Sequence, residues 1–123
     1  MTLRNGPAVA DRLRESSLYR PELDVYVEVD PDGDAAVAAY GLFWADPITG
    51  VGLVEPMRTE DAHQNQRLGK HVLTAGVDLL AACGCTRIKV SYLEGNDAAR
   101  RVYVNSGFEP RSPSRAYRLP DAV

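Results

Sequence analysis

The chain has 123 residues and a formal net charge of -3, with 45% hydrophobic and 25% charged residues, proportions typical of a soluble globular protein. The acidic balance excludes a basic face for nucleic acid, and no apolar run approaches the roughly 20 residues that span a membrane. The N-terminus lacks the apolar stretch of a signal peptide, so we expect a cytoplasmic protein.

The length favours one domain over residues 1–123, with a short helical lead-in over 1–18 and a core over 19–120. In the lead-in, residues 8–18 carry the thin apolar stripe of a short helix, and Pro7 suits a helix start. Three strands and two tight turns follow, the strands over 24–30, 36–44 and 51–58 and the turns at 31–34 and 46–50. Turns this tight predict an antiparallel meander.

The third strand contains a proline, Pro56, which has no N–H to give to a sheet ladder. A proline inside a sheet generally marks an edge or a bulge, so we predict a break in the ladder over 55–57. The alternative, from the residues alone, is a strand that simply ends at Val54.

A polar loop after this strand opens into an amphipathic helix predicted over 67–83. A further strand over 87–93 completes a strand-helix-strand crossover, whose two strands should be parallel with a right-handed connection. The first backbone N–H groups of a helix have no partner within it, and they favour anions. Because Arg58, Arg67 and Lys70 lie around this helix start, the sequence predicts a bound phosphate there.

The last predicted helix begins after Asn96, a good N-cap residue, and ends at Gly107, which suits the left-handed position beyond a helix. We expect Phe108 to pack back on Tyr103. Two short strands are predicted beyond this helix, over 109–111 and 115–119.

Two of these stretches resemble signatures of the GNAT superfamily of acyl-CoA-dependent N-acyltransferases. The run 64–70, Gln-Asn-Gln-Arg-Leu-Gly-Lys, resembles the pyrophosphate-binding pattern Gln/Arg-x-x-Gly-x-Gly/Ala, with Arg67 in place of the first glycine. The run 96–108 resembles the second signature, an Asn followed by small residues, a Tyr and then Gly-Phe.

The resemblance covers about 19–120 and implies a mixed α/β fold, in which an antiparallel meander leads into a β-α-β crossover with splayed parallel strands. GNAT domains usually begin with another strand and a longer helical region. The chain therefore resembles a shortened domain, or the C-terminal portion of a longer protein. Open strand edges are also compatible with a homodimer.

The resemblance also implies acetyl-CoA as co-substrate. Its pyrophosphate would take the backbone amides of the loop and helix start, with Arg67 and Lys70 as counter-charges, and its pantetheine arm would pair with backbone freed at the bulge. The cofactor-binding residues so implied are Met57, Arg58, Thr59, Gln64, Gln66, Arg67, Leu68, Gly69, Lys70, His71 and Asn96. A plain N-cap role would also account for Asn96.

For the chemistry, the resemblance places Tyr103 beside the thioester sulfur as a proton donor. A phenol with an ordinary pKa of about 10 stays protonated at neutral pH and can give its proton to a departing thiolate. The alternative is a tyrosine that is buried for structural reasons alone.

Glu55 is the first candidate for the base that deprotonates the amine, because it lies on the strand beside the implied thioester position. By strict alternation it shares an apolar face with Val51, Leu53 and Met57, and burial there would raise its pKa. A glutamate turned outward by the bulge is the alternative.

The predicted function is transfer of an acetyl group from CoA to a primary amine of an unknown acceptor. Two other functions stay open: a GNAT-like domain of little or no activity that binds acyl-CoA or a partner protein, and a nucleotide-binding module that uses the same helix start. No metal is expected, since Cys83 and Cys85 form a Cys-x-Cys pair without further ligands nearby.

Overall fold

The computed structural model describes residues 1–30 and 36–121, and this part of the chain contains a four-stranded sheet with helices packed on it. The strands are β1 (Asp24–Val29), β2 (Ala36–Ala45), β3 (Val51–Thr59) and β4 (Arg87–Val90). The helices are α1 (Thr2–Asn5), α2 (Pro7–Arg14), α3 (Leu68–Ala82) and α4 (Asp97–Asn105), with short 3₁₀ turns at Pro21–Leu23 and Asp61–His63.

The strands lie side by side in the order β1-β2-β3-β4. β1 pairs with β2 and β2 pairs with β3 in antiparallel fashion, whereas β3 and β4 are parallel and are connected through α3. The predicted meander and the predicted crossover are therefore confirmed. The predicted turn at 31–34 lies outside the described residues.

The lead-in forms two short helices instead of the single helix predicted over 8–18. Gly6 separates them with a φ of 88°, in the left-handed region, and α2 already ends at Arg14. The Asp24 carboxylate at the start of β1 accepts hydrogen bonds from the Thr2 amide (3.0 Å) and from the Thr2 hydroxyl (2.8 Å). These bonds give the Thr2 amide, in the first turn of α1, a hydrogen-bond acceptor, and they connect α1 to the sheet.

The core lies between the sheet and α3. Phe43 on β2 fits under α3 at Gly76, where an added Cβ atom would lie 1.9 Å from the Phe43 ring. Other buried side chains complete this cluster: Leu23, Ala39, Ala45, Val54, Val72, Leu73, Leu80 and Tyr103. The close approach of helix and sheet therefore depends on the missing side chain at Gly76.

The fourth helix agrees with the sequence prediction. Asn96 Oδ1 accepts a hydrogen bond of 3.1 Å from the Ala99 amide, which makes Asn96 the N-cap of α4. Gly107 follows the helix with a φ of 97°. The Phe108 and Tyr103 rings lie 6.0 Å apart in an edge-on arrangement, as expected.

The chain beyond Val90 differs from the sequence prediction. β4 ends there instead of continuing to 93, and the described tail contains no strand over 109–111 or 115–119. Prolines interrupt this tail and give no N–H to a ladder. Tyr117 and Leu119 are 89% and 88% exposed, so the alternating pattern that suggested a strand buries no face here.

Candidate active site

The predicted interruption of β3 is a bulge at Glu55-Pro56. Gly41 on β2 pairs with Met57, and Phe43 pairs with Val54, so two residues of β3 lie opposite one residue of β2. The strand nevertheless continues to Thr59. The bulge is thus confirmed, and the alternative of a strand that ends at Val54 is wrong.

β3 and β4 separate at this bulge. Their parallel pairing joins Val51–Val54 to Arg87–Val90 and stops there. β3 runs on through Met57, Arg58 and Thr59, which pair with β2 on one side and have no strand partner on the other within the described ranges. The two strands therefore form a fork at their carboxyl ends, the place where α/β proteins commonly bind ligands.

The loop that joins the fork to α3 holds two non-glycine residues in the left-handed region. Asn65 has a φ of 61°, and Arg67, the residue before α3, has a φ of 59° and a ψ of 20°. A left-handed backbone costs a residue with a Cβ atom roughly 1–2 kcal/mol, and glycine avoids that cost. This geometry explains why the family signature has glycine where this chain has Arg67.

The start of α3 has no side-chain cap. The first amides of the helix cannot find a partner within it, and none of the hydrogen bonds among residues 1–30 and 36–121 engages the amides of Leu68, Gly69 or Lys70. Arg67, Lys70 and His71 are exposed here and line a shallow depression of about 510 Å³. The arrangement favours an anion.

Arg58 makes a different contribution from the one predicted. Its guanidinium Nε lies 3.3 Å from Glu60 Oε1, and the same oxygen accepts a hydrogen bond of 2.7 Å from Arg4 Nε on α1. The bond from Arg4 is the main reason that the pKa of Glu60 is lowered, and Arg58 adds to it. The Arg58 side chain is therefore paired with a carboxylate that it shares with Arg4.

Glu55 does not occupy the buried position predicted for it. Gly52 and Val54 face the core, while Leu53 is 36% exposed and Glu55 is exposed. The extra residue of the bulge then reverses the alternation, so Met57 packs against the core cluster on the opposite face. The prediction that Glu55 shares a buried apolar face with Met57 is wrong. Glu55 points outward, as the alternative had it, but because it lies on the exposed face with Leu53 and not because the bulge turns it.

The end of β3, the start of α3 and α4 meet at Gly69. A Cβ atom added there would lie 3.5 Å from Thr59 Oγ1, 3.8 Å from Met57 Cε and 3.9 Å from Val102 on α4. Most of the predicted binding residues thus come together at one end of the sheet. Gln64 and Gln66 lie in the adjoining loop, where Gln64 Nε2 donates to Asp61 Oδ1 at 3.3 Å. Asn96 uses its side-chain oxygen as the cap of α4.

Tyr103 lies on α4 with 8% of its surface exposed, and burial raises the pKa of its phenol. Its ring packs between those of Phe108 and Tyr92, the latter at 6.2 Å. In the described part of the chain its hydroxyl has no hydrogen-bond partner, and only Ser106 Oγ is both fully buried and unsatisfied. The Tyr103 hydroxyl therefore reaches the surface, in a groove of about 800 Å³ beside β4.

Two aromatic residues of this region were not predicted. Trp44 Nε1 donates a hydrogen bond of 2.8 Å to the Glu55 carbonyl oxygen inside the bulge. Tyr92 follows β4 and covers the Tyr103 ring. Ile88, Val90 and Tyr92 alternate along the chain, and this pattern would have placed Tyr92 on the same face as Ile88 and Val90. No local pattern identifies the partner of Trp44.

Cys83 and Cys85 are free thiols, and no cluster of three or more His, Cys, Asp or Glu suited to a metal occurs within residues 1–30 and 36–121. Across the same residues, none of the helices combines the length and the apolar character that a membrane span requires.

Comparison with known sequences identifies relatives. The profile of the Acetyltransferase (GNAT) family matches residues 4–108. Mycothiol acetyltransferase of Beutenbergia cavernae is 31% identical over 93 residues, which are 75% of this chain and 31% of that protein. The chain thus spans about a third of the length of this curated relative.

Solved acetyltransferases share the fold. AAC(6')-Iy, in complex with the bisubstrate analogue CoA-S-monomethyl-acetylneamine, superposes with a TM-score of 0.68 at 15% identity, over 92% of this chain and 77% of that one. Glucosamine-6-phosphate N-acetyltransferase from Arabidopsis thaliana gives 0.66 at 17% identity, over 92% and 76%. An aminoglycoside acetyltransferase from an uncultured soil metagenomic sample gives 0.60 at 16% identity, over 68% and 59%. With the family profile matching most of its length, the chain belongs to the acetyltransferase (GNAT) family.

Proposed function

We propose that the chain is an acetyl-CoA-dependent N-acetyltransferase, one domain over 1–123 that moves an acetyl group from CoA to a primary amine. One observation carries the proposal: β3 and β4 part after Val54, directly beside a helix start whose first amides have no partner in the described chain. At the fork, the unpaired backbone edge of β3 can form strand-like hydrogen bonds with an amide-containing arm. The helix start can donate hydrogen bonds to a pyrophosphate.

The residues at the fork suit acyl-CoA chemically. The free backbone edge of Met57, Arg58 and Thr59 can pair with the amides of pantetheine. The amides of 68–70 can bind the pyrophosphate, with Arg67 and Lys70 supplying positive charge. The remaining binding candidates surround these groups in the loop, on α3 and at the start of α4: Gln64, Gln66, Leu68, Gly69, His71 and Asn96.

The transfer requires a neutral amine to attack the thioester carbonyl, so that a C–N bond forms as the C–S bond breaks. We assign protonation of the leaving thiolate to Tyr103, because a phenol is protonated at neutral pH and its hydroxyl reaches the surface in the groove beside β4. A backbone N–H near Met57 would stabilise the developing oxyanion. The amine proton goes to a base, for which Glu55 remains the candidate, through water because its side chain is exposed.

The acceptor is proposed as a class only. By their names, two structural relatives act on an aminoglycoside and on glucosamine-6-phosphate, both amine-bearing sugars. A small molecule with a primary amine is therefore the first acceptor class to test. Calorimetry with acetyl-CoA should show saturable binding, and a thiol-release assay with a panel of such amines should show amine-dependent formation of CoA.

A second function is favoured by one observation, the left-handed Arg67 at the helix start, which weakens the match to the family signature. In that case the chain is a GNAT-like domain that binds acyl-CoA without turning it over. Binding of acetyl-CoA with no thiol release for any amine would support this second function against the first. No binding at all would contradict both.

A further inference from the structure

The bulge at Glu55-Pro56 leaves backbone groups that the ladder between β2 and β3 does not pair. Pro56 has no N–H, and both bulge residues lie opposite one residue of β2. The Glu55 carbonyl is satisfied by a side chain, because Trp44 Nε1 donates to it at 2.8 Å. This geometry is that of a good N–H···O hydrogen bond.

Trp44 is itself held by a third segment of the chain. The Tyr19 ring, which precedes β1, meets the indole edge-on with ring centroids 6.3 Å apart and an interplanar angle of 60°. Such a contact restricts the orientation of the indole. The N–H of Trp44 therefore fixes the Glu55–Pro56 peptide from a side chain that is already ordered on β2.

The Glu55–Pro56 peptide lies between the part of β3 that pairs with β4 and the part that does not. It follows Val54, the last residue of β3 paired with β4, and it precedes Met57–Thr59, the edge proposed to bind pantetheine. Rotation of the peptide would turn the next N–H and C=O groups away from the fork. Building on the proposed function, we infer that Trp44 is a positioning residue that aims the acyl-CoA-binding edge of β3 through the Glu55 carbonyl.

The substitution Trp44→Phe tests this inference, because phenylalanine keeps one aromatic ring on the side of Tyr19 and removes the N–H donor together with the second ring of the indole. Calorimetry compares two probes: acetyl-CoA, and the adenine nucleotide portion of CoA, which lacks pantetheine and should bind at the helix start alone. The variant should raise the Kd for acetyl-CoA about tenfold, the order of effect of losing one well-formed hydrogen bond. Its Kd for the nucleotide portion should stay unchanged.

The matched control is Tyr26→Phe on β1, which alters an aromatic residue away from the fork and should leave both affinities unchanged. Equal weakening of both probes in Trp44→Phe would show a general structural effect and overturn the inference, as would no change in either. Failure of the unaltered protein to bind acetyl-CoA would instead contradict the proposed function itself.

A second measurement covers the case in which Trp44→Phe does not fold. Trp44 is the single tryptophan of the chain, so its fluorescence reports on the bulge directly. Acetyl-CoA should shift the emission of the unaltered protein, and the nucleotide portion at saturation should not. Identical emission changes with both ligands, or none with acetyl-CoA when calorimetry shows it bound, would contradict a role for Trp44 at the pantetheine edge.

Discussion

Replacing Arg67 by glycine should make the protein more stable and a weaker binder of acetyl-CoA at the same time. Arg67 holds a φ of 59°, which costs an L-residue roughly 1–2 kcal/mol. Glycine removes that cost but loses about 0.5–1 kcal/mol through its freer unfolded state. The expected net gain in the free energy of unfolding is therefore about 0.5–1 kcal/mol.

That gain translates into a measurable change of Tm. With an unfolding entropy of about 2.1 cal/mol/K per residue over 123 residues, a gain of about 1 kcal/mol raises Tm by about 4 °C. Loss of one exposed guanidinium at a helix start should weaken acetyl-CoA binding by about two- to fivefold at low ionic strength. Differential scanning calorimetry and titration calorimetry measure the two quantities, and high salt should shrink the difference in affinity.

The control for this prediction is Arg67→Ala. Alanine removes the charge but keeps a Cβ atom in the left-handed region, so affinity should fall without any rise in Tm. A lower Tm for Arg67→Gly would refute the reasoning about backbone strain. An unchanged affinity in both variants would refute the placement of the pyrophosphate beside Arg67.

Tyr103→Phe should reduce kcat at least about tenfold and change Tm little, because the hydroxyl has no described partner. Burial raises the pKa of Tyr103 in the folded protein, so the neutral phenol contributes fully to the free energy of unfolding below pH about 10. This contribution is lost as the pH rises through the folded-state pKa. Tyr103→Phe should abolish that alkaline loss of stability. Gly76→Ala should cost about 3 kcal/mol or more, because its Cβ would meet Phe43 at 1.9 Å. Gly69→Ala, whose nearest neighbour would lie at 3.5 Å, should preserve stability and weaken acetyl-CoA binding.

Each of these outcomes has a clear opposite. Full turnover in Tyr103→Phe would exclude Tyr103 from the chemistry. If this variant still loses stability at alkaline pH as the unaltered protein does, another group causes that loss. Chemical denaturation that finds Gly76→Ala as stable as Gly69→Ala would contradict the close packing of α3 on Phe43. Undiminished acetyl-CoA affinity in Gly69→Ala would place the ligand away from the helix start.

The parts of the fold that depend on local chemistry could be predicted from the sequence. Pro56 cannot donate to a ladder wherever its strand lies, so the bulge followed from one residue. Asn96 and Gly107 likewise define the ends of α4 through their own backbone and side-chain preferences. The left-handed position of Arg67 also agrees with the glycine expected there by family resemblance.

The parts that depend on distant partners could not be predicted. The prediction for Glu55 took Leu53 and Glu55 as the buried face of β3, but Gly52 and Val54 face the core, and the bulge then brings Met57 to that core face. Arg58 was counted with the free cations, while its guanidinium pairs with Glu60, a carboxylate that Arg4 on α1 also binds. The hydrogen bond from Trp44 joins residues on two different strands, so no periodicity in the sequence predicts it.

Amide NMR during a titration with acetyl-CoA gives the most immediate test of the fork as the binding site. The amides of Met57–Thr59 and of 68–70 should shift together and saturate at the same ligand concentration, while those on β1 remain unchanged. Saturable shifts confined to other surfaces, with both of these segments unaffected, would show that acetyl-CoA does not bind where β3 and β4 separate.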